Sequence, residues 1–228
     1  MRTFLRNALV DKVPRDHRDT QAGLRRRQWV TGTVVVLGGI VLGISLRIEP
    51  GSPWFYASSL GLSAIWAAGA FASGPLHLGR IARRDDHVRP VITPLVLGFG
   101  LAGVFVVGGL VVRQIPFLAD QVGSVVAYAD EGALPLLVLI TAVTGAAEEL
   151  FFRGAAYAAV TKHPVTVTTV LYTLATYATG NVMLTFAAIL LGVVVGLERR
   201  ASGGILAPIL THLSWSLTML LVLPLVFA

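Results

Sequence analysis

From Gln28 to Leu46 the chain runs for nineteen residues without a formal charge, and uncharged stretches of similar character recur to its end. A bilayer core of roughly 30 Å is crossed by about 20 helical residues at about 1.5 Å each. Inside hydrocarbon, each backbone N–H and C=O must be satisfied within its own segment, so runs of this kind read as helices. The expected fold is all-α, a polytopic membrane helix bundle. With 55% of its 228 residues hydrophobic and 13% charged, the chain is too apolar for a soluble domain of this length.

Pro50 and Pro53 mark the turn after this first span, and Trp54–Leu76 forms the second. A loop carrying Arg80, Arg83, Arg84 and Arg89 leads to a third span, Pro90–Val112. Within the next connection, Leu118–Tyr128 is expected to lie along the interface as a short helix. The fourth span runs from Leu134 to Ala159. Val165–Thr179 and Val182–Leu197 follow as a hairpin of two short segments around Gly180 and Asn181, a strong turn dipeptide. Glu198, Arg199 and Arg200 close the hairpin, and Ala201–Ala228 is a final run without formal charge.

Lys and Arg number eight in residues 1–27, one at Arg47, four from Arg80 to Arg89 and one at Arg113, then Arg153 and Lys162, none at the Gly180 turn, and Arg199 with Arg200. Rich and poor segments alternate. That pattern predicts about seven transmembrane helices with the N-terminus in the cytosol. Residues 1–27 read as a cytosolic basic tail resting on anionic headgroups, and 28–228 as the transmembrane domain. The formal charge of +6 falls between apolar runs and not along one face, so nucleic acid is not an expected partner. The absence of cysteine excludes disulfides, thiolate metal sites and a cysteine nucleophile.

Into the fourth span the sequence GAAEELFFR (Gly145–Arg153) places Glu148, Glu149 and Arg153. A charge at the centre of a membrane helix costs about 2.5 to 3.5 kcal/mol on insertion scales, so these three mark a functional site. Glu149 and Arg153 stand at i and i+4 and can neutralise each other. Glu148 lies outside that pair and needs a partner on another helix or in water. A carboxylate so placed is a candidate general base toward water. His212, about ten residues into the last run, falls at comparable depth, with Ser216 one turn on along the same face. In the fifth segment Tyr172 and Thr176 also stand one turn apart on a hydroxyl-rich helix.

The Glu148-Glu149-x-x-x-Arg153 string, the later aromatic helix and the Gly203–His212 stretch (GGILAPILTH) resemble the CAAX protease and bacteriocin-processing family of intramembrane endopeptidases, over about residues 131–228. The resemblance implies an α-helical membrane protease in which Glu148 activates water within a cavity open to the cytosol. It also implies a membrane-anchored peptide or protein substrate and a multi-pass protein of a bacterial plasma membrane. Glu148, Glu149, Arg153 and His212 carry over directly, with Glu149 and Arg153 orienting the base and His212 with Ser216 supplying oxyanion donors. The family's Phe-x-x-x-His falls on Tyr172 to Thr176, and its His-x-x-x-Asn on His212 to Ser216, so Thr176 and Ser216 carry over by position only. Threonine is no base at neutral pH. A non-cutting relative serving as a peptide binder, immunity factor or scaffold is the second reading, and a small proton-coupled transporter the third. No cofactor is expected, and no metal, because Glu149 is better explained by Arg153 than by a zinc ion.

Overall fold

The computed structural model describes residues 2–14, 19–83 and 86–227; Arg15, Arg18 and Arg84, counted above among the basic residues, lie outside them. A short helix, α1 (Arg2–Leu9), precedes α2 (Gln21–Ser45) and α3 (Pro53–Ser73). An antiparallel hairpin of β1 (Ile81–Arg83) and β2 (Asp86–Val88) pairs Ile81 with Val88 and leads to α4 (Ile92–Val112) and α5 (Pro116–Glu131). α6 (Leu134–Glu149) runs without a break into a π-helical segment, Leu150–Ala156, and one last turn, α7 (Tyr157–Ala159). Three helices complete the chain: α8 (Pro164–Tyr177), α9 (Val182–Ser202) and α10 (Leu206–Phe227).

Local chemistry explains most of the boundaries. Thr20 caps α2 by accepting from the Gly23 N–H at 3.1 Å. Ser52 caps α3, whose first residue is Pro53, where a missing N–H costs nothing. Asn181 Oδ1 accepts from both Met183 and Leu184 at the start of α9. At the other end Gly203, at φ +74°, adopts the left-handed conformation that stops α9.

Among the described residues, six helical runs are long and apolar enough to cross a membrane: α2, α3, α4, the joined α6–α7 run, α9 and α10. The protein is an all-α integral membrane bundle. α8, with 14 residues, falls short of a full crossing, at about 21 Å. It nevertheless joins the two ends of the bundle. At its start Val165 packs against Gly196 of α9, and at its end Ala178 packs against Gly43 of α2, while Asn181 donates to the Gln121 carbonyl of α5 at 2.6 Å. One end gathers α1, the β-hairpin and the α9–α10 junction, where Ile205 and Leu206 donate to the His77 and Leu78 carbonyls. The opposite end holds α5 and the C-termini of α4 and α10, joined by Arg113 donating to the Val226 carbonyl at 3.3 Å.

The basic tail ends earlier than its charge pattern suggests. α2 begins at Gln21, so Arg25, Arg26 and Arg27 are helical. Arg27 is 4% exposed, pairs with Asp19 and donates to Ser73 and the Pro75 carbonyl. Part of the expected headgroup contact is thus a clamp between α2 and the end of α3. Good helix formers behind a threonine cap carry the helix out past the apolar run.

The core lies around the π segment, where Phe151 to Ala156 are buried without interruption. Trp66 of α3, fully buried, stacks against Phe151 and Phe152 at 4.8 and 5.0 Å. α2 passes over the indole at Gly38, where an added Cβ would stand 2.1 Å from the ring. The outward faces are apolar: Val36, Ile40 and Ile44 on α2, and Val96, Phe99 and Val107 on α4, are exposed as lipid-facing residues are.

Candidate active site

Glu149 and Arg153 meet as the helical spacing requires, with Nη1 to Oε1 at 2.9 Å and neither side chain exposed. Arg153 also donates through Nη2 to the Gly192 carbonyl of α9 at 3.3 Å, and its guanidinium lies 4.8 Å from the centre of the Tyr172 ring. The absence of a side chain at Gly192 admits that approach, since an added Cβ would lie 3.3 Å from Nη2. The π turn is not legible in the sequence of the fourth span. It bonds the Tyr157 N–H to the Phe152 carbonyl, and the Arg153 carbonyl takes a hydrogen bond from Arg199 Nε at 2.6 Å. Such turns displace the local helical ladder and recur at functional sites.

His212 of α10 completes the cluster from the opposite side. Its Nδ1 lies 2.8 Å from Glu149 Oε1, the same oxygen that receives Arg153. A carboxylate can only accept, so this contact places a proton on Nδ1 and leaves Nε2 of a neutral imidazole as an acceptor. Nε2 faces Glu148 Oε2 at 3.9 Å. Gly145 of α6 faces the imidazole, where an added Cβ would make ordinary contact at 3.5 Å. Arg153, Glu149 and His212 therefore form one buried chain ending in a nitrogen that looks at Glu148. Arg153 balances the charge of Glu149 within this chain.

The secondary residues separate. Tyr172 is buried with its ring against Arg153, and its hydroxyl comes close to the Glu148 side chain. Thr176 donates instead to the Tyr172 carbonyl at 3.0 Å. Ser216, expected as an oxyanion donor, spends its only hydrogen on the His212 carbonyl at 2.9 Å. In both residues a carbonyl four positions back is within constant reach, whereas a neighbouring helix is not.

Glu198 reads in the sequence as part of a charged connection. It is 1% exposed inside α9, and neither carboxyl oxygen has a hydrogen-bond donor. Among the described residues, no group of three or more His, Cys, Asp or Glu is arranged to hold a metal ion.

At the arginine-rich end a cavity of about 380 Å³ is lined by Arg27, Leu76, His77, Gly154, Tyr157 and Arg199. It reaches the residue next to Arg153 but not the acids: Glu148, 9% exposed, is closed off from it. The sequence suggests a site open to this side. Leu76, packed close over Gly154, is one of the cavity's walls.

Fold and site together define a helical integral membrane protein with a carboxylate–histidine cluster enclosed in its bundle. Residues 130–218 match the family model described as Rce1-like, type II CAAX prenyl endopeptidase Rce1-like, in keeping with the CAAX protease and bacteriocin-processing family. Neither the curated proteins nor the solved structures contain a match to the chain.

Proposed function

We propose that the protein is an intramembrane endopeptidase of a bacterial plasma membrane, hydrolysing membrane-anchored peptides from the cytosolic side. The observation that carries this reading is the Arg153–Glu149–His212 chain, which presents Nε2 to Glu148 across 3.9 Å. A water touching both atoms at about 2.8 Å would stand beside the line that joins them. Glu148 draws a proton from that water and later returns it to the leaving nitrogen. Glu149 and Arg153 orient the imidazole in the way a buried acid orients the histidine of a hydrolytic triad. The alternating arginines support a cytosolic N-terminus and, with it, a cytosolic position for the cavity end of the bundle.

The test compares newly formed protein termini in membranes from cells carrying the native chain and from cells carrying Glu148→Gln. Termini present in the first and missing in the second are expected. Identical profiles, with both proteins stably inserted, would favour the second reading, a binder, immunity factor or scaffold that holds such peptides without cutting them. That reading has its own support in Thr176 and Ser216, whose hydroxyls are turned to their own helices.

A further inference from the structure

Tyr172 is fixed on every side. Its ring is 8% exposed, lies 4.8 Å from the Arg153 guanidinium, and meets Phe152 edge-on at 5.0 Å and His212 at 6.4 Å. These contacts fix the ring beside Arg153 and His212 and bring the hydroxyl near the Glu148 side chain. A tyrosine that anchors a helix puts its hydroxyl at the wet interface instead, as Tyr177, 64% exposed, is free to do. Thr176, one turn on, has no hydrogen to offer the site. The polar group that the resembling motif carries at the fourth position of this pattern is here carried at the first.

We propose that the Tyr172 hydroxyl is the oxyanion donor of this site, a catalytic group that carries a function neither Thr176 nor Ser216 can supply. The inference rests on the proteolytic reading above. As the water oxygen bonds to the carbonyl carbon, the carbonyl π pair moves onto its oxygen and Glu148 takes the water proton. The Tyr172 O–H donates to the new oxyanion. When the C–N bond breaks, the proton on Glu148 passes to the leaving nitrogen and the π bond re-forms. Tyr172 keeps its own proton throughout. Removing one oxyanion donor lowers turnover by about 10² to 10³.

The experiment uses the purified full chain and a peptide spanning a Glu148-dependent cleavage site, together with the phosphinate that replaces its scissile bond. Tyr172→Phe is expected to lower kcat about 100-fold while KM stays within about twofold. Phosphinate affinity should fall by a similar factor, and affinity for the uncut peptide should change less than about twofold, because only the tetrahedral form engages the hydroxyl. A merely structural tyrosine would move both affinities together, and that result, or native turnover in Tyr172→Phe, overturns the proposal. Should Tyr172→Phe fail to insert, fluorotyrosine at 172 keeps the ring contacts and strengthens the donor. It should tighten phosphinate binding several-fold, and unchanged binding would be fatal to the idea. A native chain with no Glu148-dependent cleavage removes the proteolytic reading and the role of Tyr172 with it, whereas an active native chain indifferent to Tyr172→Phe removes only the latter.

Discussion

Replacing Arg153 with methionine takes the guanidinium out of a fully buried ion pair. Arg153 and Glu149 are both 0% exposed, and the carboxylate would keep only the His212 Nδ1–H as donor, its second oxygen being without a partner already. Stripping one member from a buried pair costs about 3 to 5 kcal/mol, because the other charge stays behind. At about 2 to 4 °C per kcal/mol for a protein of this size, the midpoint should drop by roughly 10 °C. The assay is the fraction of detergent-solubilised protein that stays monodisperse after heating. The double variant Glu149→Gln/Arg153→Met removes both charges, while the amide oxygen of the introduced glutamine still accepts from His212. It should recover about half of the loss, the coupling expected of neighbours in one network. An Arg153→Met protein that melts with the native chain, or a double variant that loses the full sum of the two single changes, would refute the argument from uncompensated charge.

Other consequences are open to simpler tests. Gly38→Ala would push a methyl to 2.1 Å from the buried Trp66 ring, and overpacking of this kind should cost about 1 to 3 kcal/mol in the same heating assay. Gly204→Ala should be at least as damaging, since its Cβ would fall 2.0 Å from the backbone nitrogen of Gly79 and prise the α9–α10 junction from the preceding loop. Ser216→Ala should leave turnover within about twofold, because its hydroxyl serves only its own helix. His77, outside the spans, has its pKa lowered by burial first and then by Arg199 and Arg27. The unfolded chain therefore binds the proton more readily than the folded one, so the native protein should lose heat resistance as pH falls below about 6.5, and His77→Gln should flatten that slope.

The sequence made some of the site plain and hid the rest for identifiable reasons. Charges inside an apolar run stand out by their insertion cost, and i, i+4 spacing sufficed to pair Glu149 with Arg153. Depth along the last run brought His212 to the right level. Spacing says which face a residue occupies but not which way its torsions turn, so the Glu149–His212 contact and the spent hydroxyls of Thr176 and Ser216 were out of reach. The π segment has no residue signature in LFFRGAA. Glu198 was masked by Arg199 and Arg200: three charges in a row read as a wet connection, yet α9 carries them into its buried last turns. The apolar runs were legible as helices, while the brevity of α8, 14 residues, left open whether it crosses.

The shortness of α8 bears on the water supply. Its outer face, with Val170 and Leu174 half exposed, meets lipid directly. A helix of about 21 Å beside a hydrocarbon layer of roughly 30 Å draws the two leaflets together at that point. Under the proteolytic reading, this mismatch is a route by which water, the second substrate, comes nearer to Tyr172 and the acids behind it, and turnover should rise in shorter-chain lipids and fall in longer-chain ones.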